Sequence, residues 1–366
     1  MNLQNLRKEI KYILKKFNVP GSIIRVKSDV YNSFIIKYGY SDIKNKTLVE
    51  INDKFRIASN TKMYVGIVLL QLYQEGLIKL DSPVSNYLVG LPEDYINLTV
   101  REVGNMRSGI PDYVNDPRFE HAFENDPYRD WLPAELFAIG VTGQQLFIPG
   151  TKFEYSNTNT IILGLIIERI TGNSLKHEIN KRILQPLKLI ETKFQINGTF
   201  CKPNMEGYQY VNNKLKNVTN YNPSWGWAAG NISSDLKDSS KFIKCAIGNS
   251  ILLDKDAIKQ QRNWTELSTS LIYGLNVAYG FHLIKFDNFI GHTGSIQGYD
   301  SVILYEIATK TTIVIVVNVF AYKQNIPVAY RISEYIIARL NNKTTFADMY
   351  KIFIPPKLGI AKNNIF

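Results

Sequence analysis

Cysteine is almost absent: only Cys201 and Cys245 occur in 366 residues, each isolated in its local sequence. Neither a disulfide framework nor a paired-cysteine metal motif can be built from them, and the pattern fits a reduced compartment. Histidine is nearly as scarce, with His121, His177, His282 and His292 and no H-E-x-x-H or closely spaced pair, so no metal site is expected. No apolar run approaches the ~20 residues a membrane helix needs. The longest, Ile313 to Val317 with Val319 and Phe320 beyond Asn318, reads as a buried strand. The N-terminus has basic residues but neither an uninterrupted apolar segment nor a small-residue cleavage site. As it stands the chain is expected to be cytoplasmic; an extracytoplasmic location would require that a leader had been removed. Internal repeats and low-complexity linkers are lacking too, which argues against a solenoid or independent folding units.

What is present is a globular composition, 45% hydrophobic, with a formal charge of +11. Such a charge suits a polyanionic partner, but the basic residues are dispersed, and no RNP, zinc-finger or helix-turn-helix signature accompanies them. The densest run, Lys8 to Lys16, alternates with apolar residues as a solvated helix face does. No nucleic-acid partner is expected.

Leu3, Leu6, Ile10, Ile13 and Leu14 stand at helical spacing, and Asn18-Val19-Pro20-Gly21 stops the pattern. Two β-rich runs, 22–26 and 33–38, follow as a hairpin. From Ser59 to about Glu75 the apolar positions are too dense for a surface helix, and Gly76 closes the segment, so a central buried helix is expected. Residues 80–199 mix short helical patterns with Pro and Gly; the clearest helix runs from about Asn159 to Ile170. Strand candidates then appear at 280–286, 301–305 and 311–320, before a final helix near 329–340. The expected fold is α+β: an antiparallel sheet flanked by helices and assembled from both chain ends, with an inserted, mainly helical subdomain. Residues 1–342 then form one domain, with its α/β part at about 1–79 and 200–342 and its helical part at about 80–199. The tail, 343–366, has no readable role.

Three short segments carry chemistry. In Phe55-Arg56-Ile57-Ala58-Ser59-Asn60-Thr61-Lys62 a serine stands where the chain enters the buried helix, and a lysine follows three positions later, on the same helical face. A serine hydroxyl needs a neighbouring base, and a partly desolvated lysine loses enough proton affinity to act as one. Taken alone the pattern is weak, because an N-cap serine and an unrelated surface lysine produce it as well. The second segment, Tyr155-Ser156-Asn157, lies between Pro149-Gly150 and an apolar helix. A phenol with a pKa near ~10 helps at neutral pH only if cations stabilise its phenolate or if it passes a proton on without lingering charged. Asn157 is suited to orienting a substrate amide. The third, Gly291-His292-Thr293-Gly294-Ser295, follows an apolar strand, and its small residues let a strand edge approach a substrate backbone. The backbone N–H groups of Ser59 and Ser295 are candidates for an oxyanion hole. His292 offers a hydrogen bond or a pH-dependent charge near a substrate carboxylate; without context it reads as a turn histidine.

In this order the three segments resemble the motif set of the serine β-lactamase/DD-peptidase superfamily, in the branch of class C β-lactamases and D-alanyl-D-alanine carboxypeptidases. The likeness extends over 55–88, 149–187, 228–242 and 291–301. It implies that Ser59 is the acylated nucleophile, that Lys62 and Tyr155 are the coupled base and acid, that Asn157 binds substrate, and that His292-Thr293-Gly294 is the third motif. It implies a penicillin-binding-protein-like hydrolase acting through an acyl-enzyme on D-amino-acid peptides or β-lactams, with no cofactor. Class C β-lactamases typically carry Lys where His292 stands and Y-A-N where this chain has Y-S-N, so the resemblance leans toward the peptidase side. Asn105-Met106-Arg107-Ser108-Gly109, where many relatives read T-H-T-S-G, alters the lining beside the site.

Two other readings fit the same chain. An esterase or amidase on this fold would act on small non-peptide acyl substrates, since fold does not fix substrate. A binding protein that keeps the fold without turnover would be marked by loss of the serine, lysine or tyrosine, and all three are present. The partner is in each case a small molecule or peptide: a β-lactam, a D-Ala-D-Ala-like peptide or an ester. Nothing in the sequence sets an oligomeric state.

Overall fold

A computed structural model describes residues 3–348, apart from 201, 213, 250, 271, 321–326 and 346. Residues 349–366 of the tail lie outside the described residues. Helix α1 (Leu3–Lys16) buries Leu6, Ile10, Ile13 and Leu14 and exposes Arg7, Lys8, Lys11, Lys15 and Lys16. It ends because Asn18 adopts a left-handed φ of 50°, which lets the Val19 N–H reach back to Leu14 O at 3.0 Å.

The chain then enters an antiparallel sheet of nine strands: β1 (Gly21–Lys27), β2 (Phe34–Asp42), β3 (Thr47–Leu48), β4 (Thr265–Glu266), β5 (Val277–Tyr279), β6 (Ile284–Phe286), β7 (Phe289–Ile296), β8 (Tyr299–Glu306) and β9 (Thr311–Val317). Their spatial order is β3-β2-β1-β9-β8-β7-β6-β5-β4. The N-terminal hairpin is thus stitched beside the last strand, with Ser22 opposite Val317 and Lys27 opposite Thr312. The central strands β8 and β9 are buried on both faces, and β9 shows the period of two: Ile313, Ile315 and Val317 join the cluster under α1 and α4 (Val328–Leu340), whereas Val314 and Val316 join the opposite one.

That opposite cluster holds α2 (Thr61–Gln74), apolar around its circumference and therefore buried, and α3 (Asn157–Thr171). Gly76, at φ 73°, closes α2 as expected, with the Gly76 N–H on Tyr73 O and the Leu77 N–H on Leu72 O. Between residues 80 and 199 the chain is otherwise short helices, with one two-residue strand at Lys193–Phe194 among the described residues. No helix among the described residues is long and apolar enough to cross a membrane.

Two strand expectations are corrected. Residues 280–286 form a turn leading into β6 rather than one strand, because His282 takes a left-handed φ of 54° and the Gly280 N–H closes on Leu283 O at 2.9 Å. The run 311–320 breaks at Asn318, whose side chain donates to Tyr40 O and Glu206 O; Val319–Phe320 then pairs in parallel with Tyr208 and Gln209 in a separate small sheet.

Candidate active site

The short strand Phe55–Arg56 pairs with Ser233 and Ser234, and Ala58 then turns through a left-handed φ of 49°. This puts Ser59 in a single 3-10 turn, Ala58–Asn60, that runs into α2. The turn is tied to the sheet: Asn60 Nδ2 donates to Ile57 O and to Ser301 Oγ, each at 2.9 Å, and Ser301 Oγ donates to Ile57 O at 2.9 Å. A Cβ on Gly294 would lie 2.4 Å from Ile57 O and 2.9 Å from Ser59 N, so only glycine lets β7 approach the Ser59 amide this closely. Strand β7 pairs with β8 along its whole length but with β6 only over Phe289 to Gly291, leaving the other edge of His292–Ile296 outside the ladder. Ser295, partly exposed, lies on that stretch opposite Asp300.

Helices α2 and α3 bring their first turns together. Lys62 is fully buried, and its Nζ donates to Ser59 Oγ at 3.1 Å, to Asn157 Oδ1 at 2.7 Å and to Ala229 O at 2.9 Å. Burial pushes its pKa well below the ordinary lysine range, and the Asp112 charge opposes that shift. Ser59 keeps some solvent access. Tyr155 is buried with its ring centroid 4.9 Å from Lys62 Nζ. Burial raises its pKa, and the nearby Ser59 hydroxyl lowers it to a smaller extent, yet Tyr155 Oη makes no hydrogen bond among the described residues. Between the two options for the phenol, these surroundings favour a neutral group that passes a proton on over a standing phenolate.

Two readings of His292 are corrected, the turn residue and the pH-dependent charge; the hydrogen-bonding alternative is kept. His292 lies within β7, fully buried, 6.2 Å from the Tyr155 ring between centroids. Burial first, then the Lys62 charge, pushes its pKa down to about 3. The imidazole is therefore neutral at ordinary pH. Its Nδ1 lies 2.5 Å from Thr293 O, which can only accept, so the proton sits on Nδ1 and Nε2 is left to accept from Tyr279 Oη at 3.4 Å. Thr293 is buried, and its hydroxyl has no partner among the described residues. Met106, in the segment that departs from T-H-T-S-G, takes a left-handed φ of 57° and packs in the cluster containing Tyr155 and Tyr279.

Sequence reasoning missed Asp112. Its Oδ2 accepts from Asn157 Nδ2 at 2.8 Å, which extends the chain of contacts from Ser59 through Lys62 and Asn157 to a carboxylate. Asp112 retains some solvent access, but desolvation of its carboxylate is the largest influence on it and raises its pKa; the Asn157 and Val114 amides and the Lys62 charge pull the other way. Locally Asp112 reads only as the N-cap of the 3-10 turn Tyr113–Asn115, and nothing short-range distinguishes it from any other cap.

A family model described as Beta-lactamase matches residues 26–335. The chain is similar to Protein flp of Staphylococcus aureus (strain N315), at 28% identity over 325 residues, covering 86% of this chain and 63% of that protein. It is also similar to the crystal structure of a D-stereospecific amidohydrolase from Streptomyces sp., with a TM-score of 0.75 and 29% identity over 86% of this chain and 94% of that one. A D-amino acid amidase from Ochrobactrum anthropi SV3 shares the fold, with a TM-score of 0.77 at 24% identity over 93% of this chain and 100% of that one.

Proposed function

The chain belongs to the beta-lactamase family, and from that premise we propose that residues 1–342 form one catalytic domain, a serine hydrolase that works through an acyl-enzyme on Ser59. Its substrates on this reading are amides and short peptides of D-amino acids, with β-lactams as acylating agents of the same nucleophile. The observation that carries the reading is Lys62, fully buried and 3.1 Å from Ser59 Oγ with its proton affinity lowered by burial. A lysine in those surroundings loses its proton far more readily than one in water, and as a neutral amine it is a competent base.

The Ser59 hydroxyl proton passes to Lys62 Nζ as Oγ bonds to the substrate carbonyl carbon. The oxygen that becomes anionic sits between the backbone N–H groups of Ser59 and Ser295, on the strand edge that Gly294 brings close. Collapse breaks the carbon–nitrogen bond, and the departing amine takes a proton from the Tyr155 hydroxyl, which Lys62 replenishes. Water then attacks the ester on Ser59, giving its proton back through the same pair and releasing the acid. Asn157 offers its partly exposed amide to the substrate. The D-amino-acid preference is supported by the similarity to the D-stereospecific amidohydrolase.

Incubation of the wild type and of Ser59→Ala with a fluorescent penicillin and with D-alanine p-nitroanilide, followed by intact-mass spectrometry and absorbance, tests this. Expected are a covalent adduct on the wild type alone and p-nitroaniline release reduced at least ~10³-fold by the substitution. Adduct or turnover that persists in Ser59→Ala, or a wild type inert to both reagents, overturns the proposal; turnover of small esters alone would shift it to an esterase.

A further inference from the structure

Asn157 carries an amide whose two ends are nearly equal in size and opposite in hydrogen-bond sense. Which end faces Lys62 decides what Lys62 can do. As an ammonium, Nζ donates to all three of its neighbours, Ser59 Oγ, Asn157 Oδ1 and Ala229 O. As a neutral amine it keeps two N–H bonds and one lone pair. Asn157 Oδ1 and Ala229 O can only accept, so they hold the two N–H bonds, and the lone pair is left facing Ser59 Oγ, the one neighbour able to donate. With Asn157 turned over, its Nδ2 would donate to that lone pair, and the base would be occupied by the asparagine instead of the serine.

We infer that Asp112 is a positioning residue that sets the orientation of the Asn157 amide and thereby aims the Lys62 lone pair at Ser59; this rests on the serine-hydrolase reading above. A carboxylate only accepts, so the 2.8 Å contact between Asp112 Oδ2 and Asn157 admits the Nδ2 end and no other. Asp112 is itself held from both sides. Its Oδ1 accepts from the Val114 N–H at 3.2 Å. Pro111 O accepts from Ser156 Oγ at 3.1 Å and from Thr158 Oγ1 at 2.7 Å, and the Tyr113 N–H donates to Thr158 Oγ1 at 3.0 Å. The residues flanking Asp112 are thus tied to the residues flanking Asn157. An N-cap needs only Oδ1, so the second oxygen is free for the asparagine.

The geometry makes the isosteric substitution worse than truncation. In Asp112→Asn the cap keeps the new carbonyl oxygen on the Val114 N–H and points the new NH₂ at Asn157, which must then turn its own oxygen toward position 112 and its NH₂ toward Lys62. In Asp112→Ala nothing opposes Lys62 in orienting Asn157. Expected for acylation by fluorescent penicillin, or for D-alanine p-nitroanilide turnover where the penicillin is inert, is a ~100-fold loss of the limiting rate in Asp112→Asn and ~10-fold in Asp112→Ala. Both substitutions remove the charge that raises the Lys62 pKa, so the acid limb of the pH–rate profile moves to lower pH in both. The other titratable groups around Lys62 are Tyr155, His282 and His292; burial keeps the first protonated and the two histidines neutral.

An alanine variant as impaired as the asparagine one, or an acid limb that stays in place in both, overturns the inference. So do wild-type rates in both variants, or losses that merely follow a drop in melting temperature. A wild type that fails to acylate at Ser59 is a different result: it removes the serine-hydrolase reading, and the role of Asp112 with it.

Discussion

His292 and Lys62 are both basic side chains placed where water cannot reach, and burial disfavours the charged form of each. For His292 the consequence for stability has a definite sign. An unfolded chain protonates this histidine near the ordinary value of ~6.5, whereas the folded chain resists until about 3. Between those values the unfolded state binds the extra proton, so stability rises with pH and is lost as pH falls, by about 1.4 kcal/mol per pH unit per group. His292→Gln removes this dependence at one site; His282 remains in both proteins, its charged form disfavoured first by burial and less by the charges of Lys62 and His292. Denaturant unfolding of wild type and His292→Gln at pH 7, 5.5 and 4.5 should show the wild-type advantage shrinking as pH falls. A constant difference would mean that His292 takes up its proton as readily in the folded protein as in the unfolded chain. None of this was legible in the sequence, because a histidine between glycine and threonine gives no sign of whether its ring meets solvent or the core.

The 3-10 turn holding Ser59 is not stable by itself: it starts from a left-handed alanine and is kept by contacts with β7 and β8. Two glycines show how different such elements are in what they tolerate. A Cβ at Gly294 would meet backbone atoms of Ile57 and Ser59, which cannot swing aside, so Gly294→Ala should separate β7 from the turn, destabilise the fold by ~1–3 kcal/mol and slow acylation of Ser59 by at least ~10-fold. A Cβ at Gly76, which caps α2, meets nothing within 4 Å, and its left-handed backbone alone carries the penalty, ~1 kcal/mol. Gly76→Ala should leave the acylation rate unchanged. Thermal melts paired with penicillin acylation separate the two; equal effects on the rate would contradict the account of Gly294. The first helix was readable from its helical spacing of apolar residues, and α2 and β9 from the density of theirs, because the apolar residues that bury each of them lie along its own sequence. The break at Asn318 and the turn at 280–283 were not, since each depends on partners far away in the chain: Tyr40 and Glu206 for Asn318, Gly104 for the His282 amide. The same limit hid Asp112, whose partner Asn157 is 45 residues away, whereas Ser59, Lys62, Tyr155 and Asn157 stand in segments that carry their own chemistry.

At the scale of the whole molecule, the first strand in sequence lies inside the sheet, between β2 and β9, and α1 covers the face behind it next to α4. Tyr335 Oη and Arg339 of α4 both bond Glu9 of α1, at 2.7 and 3.4 Å, so the two ends of the described chain are held together by side chains as well as by strand pairing. Deleting residues 1–32 would expose β9 along its length and remove from the core Leu6, Ile10, Ile13, Leu14, Ile23, Ile24 and Val26, all fully buried. At ~2 kcal/mol for each buried aliphatic side chain the loss is about 14 kcal/mol, comparable to the entire stability of an ordinary domain, ~5–15 kcal/mol. The truncated chain should show no cooperative melting transition. Cutting the chain instead at the exposed turn around Lys44–Lys46 removes no buried group, and the fragment carrying α1, β1 and β2 keeps its whole interface. Co-expressed as two chains, 1–45 and 46–366, the halves should therefore purify together, melt as one unit and acylate at Ser59. Separation of the halves, or a cooperative melt from the truncated chain alone, would show that the N-terminal segment is an appendage to the fold and not part of its core.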